Sequence, residues 1–159
     1  MSPQLNIFPD ASNLSRRFQH LRLINSTFNV LQIPWWVKRY DSKLNLFIMH
    51  DLNDVYESRF IIPNNFTKSD YIGSNDYLIW PHDVAKRFEE HDWEAFNARS
   101  TVVFEEQYAI RETMYTEIFL KSYVCDQITE EEFIVGVSLN VPLINFEKTD
   151  HETKSSRKI

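Results

Sequence analysis

Three histidines stand directly before an aspartate: His50-Asp51, His82-Asp83 and His91-Asp92. An imidazole beside a carboxylate is suited to metal ligation and to acid–base work near neutral pH. Consecutive residues on a helix or strand project in different directions, so such a dipeptide does not build a site alone. Catalysis would need a nucleophile, a base and an orienting group to converge. Neither a Gly-x-Ser-x-Gly elbow nor a His-Glu-x-x-His sequence is present. Cys125 is the single cysteine, which leaves no intrachain disulfide and no cysteine-rich zinc site. The only glycines, Gly73 and Gly136, are far apart, so no glycine-rich phosphate cradle can form. These residues predict a protein that is not an enzyme and holds no metal.

The composition narrows the class further. The chain has 159 residues, with 17 Lys and Arg against 23 Asp and Glu, a formal net charge of −6. That balance disfavours a nucleic-acid surface, which rests on clustered cations. Hydrophobic residues make up 43% and aromatics 14%, enough for one well-packed domain. Residues 1–10 lack the basic start and apolar centre of a signal peptide. No run approaches the ~18 apolar residues of a membrane span. The expected location is a reducing cytoplasm, away from membranes.

The elements that would position the chemistry follow from periodicity. Leu14, Phe18, Leu21 and Phe28 share a helical face, interrupted at Asn25, and predict a helix over 12–28. That face serves either the domain's own core or a seam with a second copy. Trp35-Trp36-Val37 and residues 44–49 predict a hairpin turned at Asp41-Ser42-Lys43. Residues 50–81 read as short helices and turns, with Asp51 or Asn53 as a cap. A long helix is expected over 82–98 behind Pro81, with Val84, Ala85, Phe88, Asp92, Ala95 and Phe96 on one face. His91 falls on its flank, and Trp93 outside it, towards solvent. An aspartate on the core face needs a partner, and the expected one is the loop near 74–76. Strands follow over 101–109, 113–125 and 132–145, the last with an apolar residue at every second position from Phe133 to Leu143. Residues 147–159 are charged and predict a mobile tail. The fold class is therefore α+β: a five-stranded antiparallel sheet, helices on one face, plus an N-terminal helix.

Several segments in this order resemble a PAS domain. Tyr71-Ile72-Gly73-Ser74-Asn75-Asp76-Tyr77-Leu78-Ile79-Trp80-Pro81 is similar to the family's Gly, short polar stretch and Trp-Pro that precede its long helix. His91-Asp92 resembles the pair common within that helix. Val103-Phe104-Glu105-Glu106, Phe119-Leu120-Lys121 and Ile134-Val135-Gly136-Val137-Ser138 resemble its last three strands. Ile33-Pro34-Trp35-Trp36-Val37-Lys38 is similar to the opening strand, although Tyr40-Asp41-Ser42 lacks the usual glycine. The resemblance spans residues 30–146, leaving 1–29 as a tail and flanking helix and 147–159 as the polar tail.

The resemblance implies strand order 2-1-5-4-3 and a sensory or signalling role, through a small ligand or a partner protein, with state relayed by dimer packing. The ligand wall would include Phe47, Tyr56, Phe60, Trp80, Phe88, His91, Ile118, Leu120 and Val137. The alternative is a filled core and a ligand-free interaction or dimerisation module. A second alternative is a haem-based gas or redox sensor, since some relatives ligate iron through a His-Asp pair in this helix, here His91. Flavin photochemistry is not expected, because Val55-Tyr56-Glu57-Ser58-Arg59-Phe60 lacks the cysteine it requires. A homodimer is expected through Leu14, Phe18 and Leu21, with Trp35 and Trp36 joining from the sheet. With no kinase, cyclase or DNA-binding segment in the sequence, the expected output is a separate partner protein, or the chain is a piece of a larger receptor.

Overall fold

A computed structural model of the chain describes residues 25–139. The expected interface residues Leu14, Phe18 and Leu21, the polar tail and the last part of the final strand lie outside them. Five strands form one antiparallel sheet: β1 (Trp35–Asp41), β2 (Leu46–Leu52), β3 (Thr101–Ile110), β4 (Thr113–Cys125) and β5 (Glu132–Leu139). Their order across the sheet is β2-β1-β5-β4-β3, as the resemblance implied. Short helices and a long helix, α1 (His82–Ala98), fill the chain between β2 and β3 and pack on one face of the sheet.

The α1 bounds match the predicted ones, and Val84, Ala85, Phe88, Asp92, Ala95 and Phe96 are all buried. Pro81 sits at its N-terminal boundary. Arg99 ends it in the left-handed conformation, with φ 52°. Trp93 departs from expectation. It is half-buried, with its ring centroid 4.8 Å from Phe47 and 5.5 Å from Phe96. The indole flattens over the helix edge against β2, a reach that a wheel projection of Cβ directions does not capture.

The first hairpin is longer than predicted. Asp41 Oδ1 accepts from the backbone N–H groups of Lys43 and Leu44. Asn45, with φ 52°, then makes the left-handed step that a glycine would otherwise make. Strand pairing resumes at Leu46 instead of Leu44. In β2, His50 is the extra residue of a bulge, since Val37 pairs with Asp51 and Lys38 with Met49. The bulge resets the alternation, so Met49 and Leu52 are both buried although three positions apart.

Two polar residues organise the connections. Asn53 accepts from the N–H groups of Trp35 and Tyr56 and donates to Ile33 O, so it both caps the first short helix and ties it to β1. Asp51 makes no such cap; it accepts from Leu52 N–H and pairs with Lys68 at 2.8 Å. Thr67 and Asp70 form a reciprocal capping box on Lys68–Tyr71. Gly73, with φ 82°, then turns the chain so that Gly73 N–H donates to Met49 O and Met49 N–H to Ser74 O, both at 2.8 Å. This short pairing covers part of the free edge of β2 and delivers Asp76 to the interior.

Trp36 and Gly136 register β1 on β5. They are paired across the strands, and a Cβ at Gly136 would stand 2.1 Å from the Trp36 ring. Gly136→Ala is therefore expected to destabilise the fold by ~1–3 kcal/mol through overpacking. Trp36→Phe in the same chain should recover part of the loss. Urea unfolding of the two variants checks this, and an unaltered midpoint for Gly136→Ala would refute the close approach.

Candidate functional site

The face of the sheet beneath α1 carries charge as well as aromatic rings. Side chains of a strand alternate between faces. In β4, Glu117, Phe119 and Lys121 point to the covered face, while Ile118 and Leu120 between them are half-buried on the other. Leu120 pairs with Val137 and Val137 with Trp35, so these three share the outer face. The expected pocket residues Ile118, Leu120 and Val137 therefore do not join the others. Their apolar character suggested the interior, but in β4 the interior row is the one with Glu117 and Lys121.

The centre of the interior is Lys38, on β1, 3% exposed. Its Nζ donates to Asp76 Oδ2 and to Asp92 Oδ2, each at 2.5 Å. Asp92 Oδ1 lies 2.9 Å from Lys121 Nζ, and Lys121 Nζ lies 3.4 Å from Glu106 Oε1. Lys121 also donates to Phe88 O at 3.0 Å. Glu106 Oε1 is 2.7 Å from His91 Nδ1. Tyr71 OH donates to Asp76 Oδ1 at the other end. One connected polar network thus runs from the 71–76 segment through β1, α1 and β4 to β3. Asp92 does anchor the segment near 74–76, through Lys38 instead of directly.

Burial alone would drive the Lys38 ammonium to lose its proton. The charges of Asp76 and Asp92 and their hydrogen bonds outweigh it and hold the proton well above the usual lysine range. Burial likewise works against the Asp92 carboxylate, yet Lys121 and Lys38 hold it below the usual carboxylate range. Burial and the Asp76 charge push the Tyr71 and Tyr56 hydroxyls up, so both stay neutral. A further buried acid, Glu117, pairs with Arg59 and accepts from Ser138 Oγ.

Of the expected wall, Tyr56, Phe60, Trp80 and Phe88 come together around one small cavity, closed by Trp36, Phe119, Lys38, Lys121 and Asp76. The free space is about 10 Å³, room for a single water. The aromatic rings interlock: Phe60 is tilted on Trp80, and Trp80 on Phe88 and Phe88 on Phe119 meet edge to face. Phe47 lies in a separate aromatic cluster with Tyr40, Trp93 and Phe96. Trp36, expected beside Trp35 at an interface, is buried in this wall, 5.3 Å from both Tyr56 and Phe119. Adjacent strand residues face opposite ways, and only Trp35 reaches the outer face, where its Nε1 donates to Asn25 Oδ1.

His91 is outside the cavity wall. Its ring stacks on Phe104 at 4.1 Å and its Nδ1 is engaged by Glu106. The imidazole that a haem would use is turned through Nδ1 to a carboxylate on β3 and does not line the small cavity. Cys125, partly buried, ends β4. Among the described residues no group of three or more potential metal ligands forms, and no helix is long and apolar enough to cross a membrane.

Lys38, Glu106 and Glu117 were not identified from the sequence as site residues. Their signal was present: charged residues within strands whose neighbours alternate with them, so that one face must hold either charges or aliphatics.

No family profile matches the chain, and no curated protein sequence does either. Solved structures do. The PAS domain of Bordetella pertussis BvgS is similar with a TM-score of 0.57 at 14% identity, over 76% of this chain and 85% of that one. A sensory box sensor histidine kinase from Vibrio cholerae gives 0.53 at 16% identity, over 78% and 94%. An RNA-binding light-oxygen-voltage receptor gives 0.55 at 11% identity, over 83% of this chain and 36% of that one. The shared property is the fold: the chain has the PAS fold. At these identities the fold does not carry the neighbours' activities with it.

The network makes its own demands on stability. Lys38→Met leaves two buried carboxylates short of a cation and is expected to cost ~3–5 kcal/mol. Adding Asp76→Asn and Asp92→Asn should recover much of that cost. Because Asp92 is held below its unfolded value, it contributes stability above about pH 4 that is lost as the pH falls further. Urea midpoints between pH 6 and 2 should fall more steeply for the wild type than for Asp92→Asn. Parallel profiles would show that Asp92 is not the charged partner described.

Proposed function

We propose that this PAS-fold domain is a sensory or signalling module that works through protein contacts, as a homodimer with a separate partner protein, and without a resident cofactor or catalysis. The observation that supports this reading most is the interior. A cavity of about 10 Å³ between interlocked rings and paired charges has no room for an organic ligand. A change of state would then enter at the surface and shift the population between two packings of helix and sheet. The fold similarity supports a signalling role of this general kind, since two of the neighbours are a sensor kinase and a light-oxygen-voltage receptor.

The proposed dimer uses Leu14, Phe18 and Leu21, with Trp35 joining from the outer face of the sheet. Trp36 is withdrawn from that surface because its ring is buried. A cytoplasmic location and the absence of nucleic-acid binding belong to the same proposal, the second supported by the acidic balance of the chain.

Native mass spectrometry with a visible absorption scan tests the ligand-free reading. The expected result is the mass of the bare chain or its dimer, without a visible band. A stoichiometric small-molecule adduct would overturn it, and a Soret band abolished by His91→Ala would establish the haem reading instead. For the dimer, Leu14→Asp with Phe18→Asp should give monomers in sedimentation velocity; a dimer that survives both changes would exclude that face.

A further inference from the structure

The two edges of the sheet are finished differently. The edge of β2 is partly covered by the pairing of Met49 with Gly73 and Ser74. The edge of β3 has no such cover among the described residues. Its register on β4 is unbroken from Thr101 to Ile110, without a bulge or a proline, the usual guards of an exposed edge. Ser100 O faces β4 and accepts from Tyr123 N–H, whereas Gln107 O turns the other way and accepts from Arg87 at 2.6 Å. Successive peptide groups of a strand alternate in direction, so Thr101, Val103 and Glu105 turn their N–H and C=O groups away from β4. Among the described residues nothing pairs with those groups. The open stretch is bounded at one end by Arg99, where φ is 52°, and at the other by the Arg87 cap on Gln107.

We propose that this edge is where a second copy of the chain adds, β3 against β3 in antiparallel order about a two-fold axis at Val103. In that register Val103 faces its own counterpart and Thr101 faces the counterpart of Glu105, so the whole open stretch is paired. An axis at Glu105 would instead set carboxylate opposite carboxylate and displace Arg87 from Gln107 O. The ends of the stretch also complement each other. It begins beside Arg99, whose side chain is 52% exposed although it pairs with Glu132, and it ends at the exposed Glu105. Antiparallel pairing brings the basic start of each copy to the acidic end of the other. The apolar pattern agrees with this axis. Val103 is 60% exposed and ends the outer-face row of Trp35, Val137 and Leu120. Pairing at Val103 covers that residue with itself and continues the row into the second copy.

The contact is short. It buries far less than the ~1,200 Å² of a stable interface, so it forms only where copies are concentrated. It rests on the homodimer reading in one respect, the size of the assembly. Where Leu14, Phe18 and Leu21 hold two copies together, each dimer offers a β3 edge from both of its members, and edge pairing links dimers into an open chain. Without that seam the edge gives a dimer. Assembly then responds to how densely the copies are gathered, an input that needs no ligand cavity.

The test uses the full chain carrying Leu14→Asp and Phe18→Asp, which removes the N-terminal seam. Its weight-average mass in sedimentation equilibrium should rise about 1.5-fold between ~20 μM and ~1 mM, as a weak contact requires. Adding Val103→Pro should abolish the rise. That substitution removes an N–H that points away from β4 and leaves the β3–β4 ladder intact; circular dichroism checks that the variant is folded. Amide exchange in the chain that keeps Val103 is a readout independent of that variant. Val103 and Glu105 should gain about twofold protection over the same concentrations, while Phe104, bonded to β4, stays constant. The proposal is overturned by a constant mass, or by a rise that persists with Val103→Pro. It is equally overturned by a Val103 amide already protected in dilute protein, which would show the edge covered by the chain's own remaining residues. Identical mass curves for the wild type and the Leu14→Asp, Phe18→Asp chain, both flattened by Val103→Pro, would remove the N-terminal seam and support the edge, so the two readings fail separately.

Discussion

A buried ammonium between two carboxylates organises this domain. Lys38 is the point where the first strand, the segment before the long helix and the long helix itself meet, through Asp76 and Asp92. An ion removed from water costs several kcal/mol unless its partners surround it. The three elements must therefore arrive together, and the arrangement is intolerant of partial assembly. Lys121 repeats the device one layer further, linking Asp92 to Glu106 and the Phe88 carbonyl. Such a network adds little net stability over a well-packed apolar core. Its contribution here is selection, since an alternative register of β1 or rotation of α1 would strand a charge.

The same network decides what the interior can accommodate. Aromatic rings from both the sheet and the helices fill most of the space between them, and the paired charges fill the rest. What remains between Trp80, Phe88 and Lys38 is the size of one water. The opposite face is chemically inverted: Trp35, Val137, Leu120 and Val103 form a continuous apolar row across four strands. Val103 is 60% exposed at the edge of that row. In this chain the covered face holds paired charges among its aromatic rings, and the outer face carries an apolar row.

Tight turns are made almost without glycine. Asn45, Asn65, Arg99, Arg111 and Glu130 all take the left-handed conformation at turns or helix ends. Asparagine tolerates this region through local hydrogen bonding. The other three adopt it where flanking strands or α1 fix the chain on both sides. None of Lys38, Tyr71, Asp76, Asp92, Glu106 or Lys121 takes such a conformation.

Much of the architecture was legible in the residues. The α1 bounds followed from its apolar spacing and Pro81, β4 from its alternation, and the core-facing Asp92 from its place on the helical wheel. These are local properties, set by helix and strand periods of 3.6 and 2. Tyr56, Phe60, Trp80 and Phe88 do come together around one small cavity, since large apolar rings have few other places to go. Which face of β4 was inside could not be read in this way, because a period of two defines two faces without ranking them. Apolar character favoured Ile118 and Leu120. The tertiary structure placed Glu117 and Lys121 inside instead, because Asp92, Arg59 and Ser138, distant in the chain, are there to pair with them. A buried charge is acceptable only in the presence of its partner, and the meeting of residues from separate elements is a property of the assembled fold, not of any segment.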